Sequence, residues 1–407
     1  MSAPTSLRPF LCAVIGLAGL AAGCHAQAGS DLVRSSDLEL GALAAELLPD
    51  LARRSGMELR RPVRLEERSR EDLDRYLRVK LDEELPQEEA RARTEAYALL
   101  GLVPGDLDLR GLLLDLYGEQ VAGFYEPDST ALYVLDDQPE DALRALLVHE
   151  LVHAVQDQST DLRALTAHEV GNDRATAAMA AIEGHATLVM FEFLTEEMTG
   201  APIDLGAVPD FGAQVGPALE AMSSQFPALA GAPRVVRESL IFPYVAGATF
   251  VQGLWGGGTR QHPFGASMPL STEQVIDPGA APPLEVRIDI DGATPVLDDT
   301  FGQLELRILV EDVLGAEPAA ARALVAGWDG DRWLLAEGSD GSRSLALAIV
   351  WDGEAARDAF ARAVGAASAA FPGPVSVDVL SLDGRPASLV RLGSAEYGVR
   401  PSLAPRQ

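Results

Sequence analysis

The chain has 407 residues, of which 47% are hydrophobic and 23% charged, the composition of an ordinary globular protein of two or three folding units. Its 61 acidic side chains against 32 Lys and Arg leave a formal charge of −29, which argues against nucleic acid or anionic lipid headgroups as partners. Cys12 and Cys24 are the only cysteines and both lie in the first thirty residues, which excludes a disulfide staple, a thiol nucleophile and a thiolate metal ligand from the body of the chain.

The N-terminal stretch reads as an export signal over residues 1–28. One basic residue, Arg8, precedes an apolar run from Phe10 to Gly23 that is too short to cross a bilayer as a mature helix. Two processing sites compete. LAAGC, Leu20 to Cys24, resembles the bacterial lipobox, with Ala21 where leucine is more usual, and predicts a lipid anchor on Cys24; Ala26, Gln27 and Ala28 have the AxA form of a signal-peptidase site. The first is favoured, giving an exported, membrane-anchored lipoprotein; the second gives a secreted or periplasmic protein, and an uncut apolar anchor is the third outcome.

From Asp37 to about Leu116 the pattern is mostly helical, with apolar residues at three and four spacing in LELGALAAELLPDLA and EEARARTEAYALLGL, interrupted by a strand candidate at Pro62 to Glu66. VAGFYEPDSTALYVLDD, residues 121–137, places two aromatic and β-branched runs around a Pro-Asp-Ser turn and reads as a hairpin. Leu143, Leu146, Leu147, Leu151 and Ala154 then follow helical spacing, so a helix entered from a strand carries HELVH, His149 to His153. A polar linker leads to a second helix from near Asp173, taken as its N-cap, through ATAAMAAIEGHATLVMFEFL. Residues 200–237 look like loop, and a further helix is expected from about Pro243 to Trp255, ending in the glycines 256–258. Beyond residue 300, a helix in TFGQLELRILVEDVLG, paired strands in DRWLLAEGS and SLALAIVWD, the helix EAARDAFARAVGAA and two closing strands make a small α+β module. The expected domains are therefore 33–299 and 300–407.

His149 and His153, four apart on a helix, project from one face and can each place a nitrogen about 2.0 to 2.1 Å from one ion. Glu150 lies on the neighbouring flank, within reach of a water beside that ion and placed to act as a base. With six histidines in 407 residues a chance HExxH is uncommon, although two helix histidines are more often structural. A catalytic zinc needs a third protein ligand. A third histidine six residues on fails, because Gln156 and Ser159 stand where glycine and histidine would be needed. His168, Glu169, Asp173, Glu183 and His185 remain. Glu183 is preferred because Gly184, costly inside a helix by about 1 kcal/mol, would be justified by a close helix crossing at the metal.

At these residues the chain resembles the gluzincins, zinc metallopeptidases with two helix histidines and a glutamate from a following helix. HELVHAVQD is similar to their motif helix and EGHAT to their glutamate-glycine-x-alanine element. The ordered set QVAGFYEP, LYVLDD, HELVHAVQDQ, EGHATLVM, FPYVAGATFV and STEQVIDP further resembles a group of bacterial exported proteins expected to be metallopeptidases, over roughly residues 60–350. The resemblance implies a mainly helical, zincin-like α+β domain with a small sheet beside the HExxH helix. It also implies one Zn2+ per chain on His149, His153 and Glu183, Glu150 as general base, and a peptide or protein substrate lying along the hairpin edge. An oxyanion donor is expected further along the chain, with Tyr244 and His262 as candidates and Tyr125 behind them; Thr187 and Asp157 are candidates for orienting the imidazoles. The rivals are a non-catalytic zincin-like scaffold or binding lipoprotein and a zinc hydrolase of another amide. Trp328, Trp333 and Trp351 read equally as core or as a binding surface.

Overall fold

A computed structural model of the chain describes residues 31–405 except 210, 213, 215, 217–225 and 395. The signal peptide, the Cys24 lipobox and the AxA site lie outside the described residues.

The N-terminal part is helical. β1 (Val33–Ser35) leads into α1 (Leu38–Ser55), where Asp37 accepts the Leu40 N–H at 2.7 Å and Gly56 ends the helix in the left-handed region at φ 66°. β2 (Val63–Arg68), α2 (Arg70–Glu84), α3 (Gln87–Leu99) and α4 (Leu109–Gln120) follow, then β3 (Gly123–Glu126) and β4 (Ala131–Leu135), the expected hairpin. These strands form one sheet in the order β1-β2-β4-β3, with β1, β2 and β4 parallel and β3 antiparallel at its edge. From β4 the chain enters α5 (Glu140–Gln156), passes the single turn α6 (Leu162–Leu165), and runs through α7 (Asn172–Thr199).

α7 is the centre of the molecule. Every residue from Ala175 to Met190 is buried, so the helix is enclosed on all sides rather than along one stripe. Its length and composition would let it span a membrane, yet 89% of the relevant window is covered by the rest of the protein. The Asp173 expectation is corrected: the N-cap is Gly171, and the Asp173 carboxylate instead accepts the N–H of Thr272 at 2.9 Å and its hydroxyl at 2.5 Å.

The next two helices are α8 (Pro227–Gly231) and α9 (Arg234–Trp255), so α9 begins well before the expected Pro243, which sits inside it. A proline normally ends a helix because it lacks an N–H and crowds the preceding turn. Here buried Val235, Val236 and Phe242 before it and Gly247 and Ala248 after it keep both halves packed. α9 crosses α7 at two glycines: a Cβ on Gly184 would lie 2.0 Å from the Gly247 carbonyl carbon, and one on Gly247 would lie 2.1 Å from the Ala180 oxygen. The close crossing expected at Gly184 is present, but its partner is α9 rather than the HELVH helix.

α10 (Thr272–Ile276) leads to the C-terminal part, built from β5 (Val286–Asp291), β6 (Ala293–Asp299), α11 (Gly302–Asp312), α12 (Pro318–Val325), β7 (Trp328–Gly338), β8 (Arg343–Trp351), α13 (Glu354–Ala366), β9 (Val375–Leu382), β10 (Arg385–Gly393) and β11 (Gly398–Leu403). Five strands form an antiparallel sheet in the order β6-β7-β8-β10-β9, and β5 pairs with β11. β5 and β6 both precede residue 300, so the sheet-rich module takes in strands that the sequence reading assigned to the helical domain. Trp328, Trp333 and Trp351 are buried core residues, which decides against a binding surface. The chain is thus a mixed α+β protein, about half helical.

The two parts share one core. Tyr97 meets Trp333 edge-on with centroids 6.4 Å apart. Around it, Arg93 donates to Asp299 at 3.2 Å, the Tyr97 hydroxyl to Glu305 at 2.5 Å, and the Asn172 side chain to Glu305 at 3.0 Å. Burial pushes Glu305 up to about 8 and Asp173 up to about 7, although each accepts two hydrogen bonds from neighbouring side chains or backbone.

Because the Gly247 Cβ would strike backbone that cannot swing away, Gly247→Ala is expected to lower folding stability by about 3 kcal/mol. Gly253→Ala, in the same helix with nothing within 4 Å of its Cβ, should instead gain up to about 1 kcal/mol. Urea unfolding of the two variants measures both signs.

Candidate metal centre

His149 and His153 occupy the last two turns of α5, and Glu183 lies midway along α7. The helical repeat brings the imidazoles together with centroids 4.7 Å apart and planes at 74°. Both Nε2 atoms point at one carboxylate oxygen: Glu183 Oε2 is 3.0 Å from His149 Nε2 and 3.5 Å from His153 Nε2. One donor atom from each of the three residues falls within 4.8 Å of the other two, and all three side chains are buried. Among the described residues this is the only such group.

Glu150 is also fully buried and is aimed by the sheet: the Tyr125 N–H, on the edge strand β3, donates to its Oε2 at 2.8 Å. Its other oxygen, Oε1, has no hydrogen-bond partner, and neither have His149 Nδ1, His153 Nε2, Glu183 Oε1 and Thr187 Oγ1. Buried polar atoms left this way cost about 1–3 kcal/mol each. A cation held between the imidazoles and Glu183 would engage the His153 and Glu183 atoms directly, so the residues present fit a metal. Two neutral imidazole nitrogens and one carboxylate form a donor set suited to zinc.

The electrostatics of the cluster without a cation follow from the same geometry. Burial opposes charge on His153, but the neighbouring Glu183 carboxylate overcomes it and pushes the imidazole up to about 9. Burial would raise Glu183, but His153 and His149 hold it far below the usual carboxylate range. His149 is lowered, chiefly by burial, against its hydrogen bond to the Glu183 carboxylate. Glu150 is raised well above its ordinary value by burial first; the Glu183 charge adds to this, while His153 and the Tyr125 N–H oppose it.

The other candidates stand apart from the trio. Glu169 lies in the short turn His168–Val170 and is exposed, and Asp173 is engaged by Thr272. His185 faces away, with Nε2 3.1 Å from the Ser55 carbonyl oxygen. Tyr244 is at the trio: its ring stacks on His149 with centroids 6.3 Å apart. His262 is not; it packs on Phe264, which meets His185 edge-on. Tyr125 donates its hydroxyl to Asp157 at 2.8 Å, so neither side chain orients an imidazole, although the backbone of Tyr125 orients Glu150. Thr187 and Tyr244 lie with Phe191, Phe211, Val245 and Ala248 around a shallow dimple that has no room for a water molecule. Sequence reasoning missed Gln156, whose Oε1 lies 2.8 Å from His153 Nδ1. The signal for it was available, since residues three apart on a helix are neighbours.

A family model described as a domain of unknown function, DUF8575, matches residues 293–385. That span begins with β6 and ends at the start of β10, so it covers most of the C-terminal sheet and none of the trio. No curated protein and no solved structure matches the chain.

Because the Glu183 carboxylate pushes the His153 imidazole up to about 9, and the proton on Nε2 must leave before that nitrogen can hold a metal, zinc affinity should rise with pH between 6 and 8. The expected slope is roughly tenfold per pH unit for each proton displaced. Competition titration with a chromophoric chelator at pH 6, 7 and 8 measures it, and a flat profile would contradict the assignment.

Proposed function

We propose that the chain is a zinc-dependent metallopeptidase of the gluzincin type, a zincin-like domain exported from the cytoplasm and acting on a peptide or protein substrate. The observation that carries this reading is the convergence of His149 Nε2, His153 Nε2 and Glu183 Oε2 in the buried interior, with Glu150 beside them and one of its oxygens unclaimed.

His149, His153 and Glu183 would hold one zinc ion. When bound, such an ion supplies Lewis acidity, favouring hydroxide over water near neutral pH and drawing electron density from a carbonyl oxygen.

Glu150 carries the protons. Its Oε2 is pinned by the Tyr125 N–H, which leaves Oε1 as the oxygen that takes a proton from the attacking water and returns it to the departing amine. Tyr244, whose ring stacks on His149, would be the donor that stabilises negative charge on the carbonyl oxygen, whereas His262 packs on Phe264 instead. The edge strand β3 supplies the backbone along which an extended peptide would pair.

The complete burial of the four side chains is the observation that favours a second reading, a non-catalytic scaffold with a structural cation. The two readings separate on Glu150, which a structural site does not need. Glu150→Gln should keep about one zinc per chain by elemental analysis and lose roughly 10²–10⁴-fold in cleavage of a denatured protein. Glu183→Ala should lose the zinc itself. Unchanged cleavage by Glu150→Gln would overturn the peptidase reading. With the same assay, Tyr244→Phe should lower kcat by about 10²-fold while zinc content holds, and His262→Asn should leave kcat within about twofold.

A further inference from the structure

Behind His153 a chain of hydrogen bonds runs to the far side of the molecule. His153 Nδ1 meets Gln156 Oε1 at 2.8 Å; Gln156 Nε2 donates to the Ile182 carbonyl at 3.1 Å and lies 3.0 Å from His185 Nδ1; His185 Nε2 lies 3.1 Å from the Ser55 carbonyl. Gln156, His153 and His185 are each fully buried, so no water competes for these contacts.

The direction of every proton in this chain follows from its two carbonyl ends. A carbonyl only accepts, so His185 Nε2 carries a hydrogen toward Ser55. The Ile182 carbonyl likewise requires the nitrogen of the Gln156 amide on its side, which fixes the amide's orientation. The second Gln156 N–H then faces His185 Nδ1, which must be bare to accept it, so His185 is neutral with its proton on Nε2. The amide oxygen is left facing His153 Nδ1, and that nitrogen must carry a hydrogen. Whether or not Nε2 also bears one, Nδ1 does, and Nε2 is the nitrogen turned toward Glu183.

We infer that Gln156 and His185 are positioning residues: with the Ser55 carbonyl they lock the ring of His153 so that Nε2, and never Nδ1, is offered to the cation. The purpose assigned to the lock rests on the metal reading above.

The far end of the chain is itself well held. Ser55 is the last residue of α1, where carbonyls lack helical partners and carry the negative end of the helix dipole, so its oxygen is a strong acceptor. Arg54 beside it donates to Glu196 on α7 at 2.6 Å, and Arg260 donates to the Arg54 carbonyl at 3.0 Å. The N-terminal helix is therefore part of the support of the site and not a cover laid over it.

The test uses the full chain with 15N at its six histidines, read by long-range 1H–15N correlation without metal and after one equivalent of Zn2+. His185 should appear as a neutral ring protonated on Nε2, and His153 as a ring protonated on Nδ1 in both samples. A proton on His185 Nδ1, or a bare Nδ1 on His153, would overturn the inference. Gln156→Met, close in shape but without the amide, should weaken Zn2+ binding roughly 10–100-fold, while His185, still facing the Ser55 carbonyl, keeps its proton on Nε2. A folded Gln156→Met chain that binds Zn2+ within about twofold of wild type would also overturn it; if that variant does not fold, the wild-type spectra alone decide. A wild-type chain that binds no Zn2+ would sink the metal reading instead, while the zinc-free spectra still report the direction of the relay.

Discussion

Glu183 faces two imidazoles at once through a single oxygen, in an interior from which water is excluded. Such an arrangement has only two states of tolerable energy. Either a proton sits on one ring and the carboxylate pairs with it, or a cation takes the proton's place. The raised His153 and depressed Glu183 are two views of the first state, while the neighbouring carboxyl of Glu150 is pushed upward first by its own burial and then by the Glu183 charge. A core designed only for stability would fill this volume with leucine and alanine, as α5 does on its other faces with Leu146, Leu147, Leu151 and Ala154. The cluster is therefore best understood through what it can bind.

Holding Glu183 at that point requires α7 to be enclosed on every side, and the sequence of α7 is shaped by this. Alanine dominates its first half because several elements press on it, and at Gly184 even a methyl group would enter the backbone of α9. The contact with α9 has a chemical consequence, since α9 carries Tyr244, and the glycine crossing draws that ring over His149. A substitution at Gly184 or Gly247 would thus move the tyrosine and the carboxylate together.

Much of this was legible in the sequence, and the failures have physical causes. HELVH on a helix after a strand, the hairpin 121–137 and the pairing of Glu183 with the two histidines follow from local spacing and from the cost of Gly184. The start of α9 was misplaced because Pro243 is a local stop signal that tertiary packing overrides. β5 and β6 were missed although VRIDID alternates with period two, because their partners, β11 and β7, come later in the chain and no short-range signal announces them. Asp173 looked like a cap because its residue type suits one; its hydrogen bonds go instead to Thr272, ninety-nine residues away. Gln156 escaped notice because its role depends on His185 and Ser55, and no local window contains all three.

The long-range contacts share a target. α7 is gripped near its first turn by the C-terminal part, through Asp299 on the Asn172 N–H at 2.8 Å and Glu305 on its side chain, with Thr272 on Asp173. Near its other end it is gripped by Arg54 of α1 and by Arg260, which both reach Glu192. Glu183 lies between the two grips. A slip of α7 by one residue would turn its side chains by about 100° and carry the carboxylate away from α5. The C-terminal sheet, including most of the span that matches the family model, therefore acts on the cluster through the helix that bears Glu183, without contributing a side chain to it.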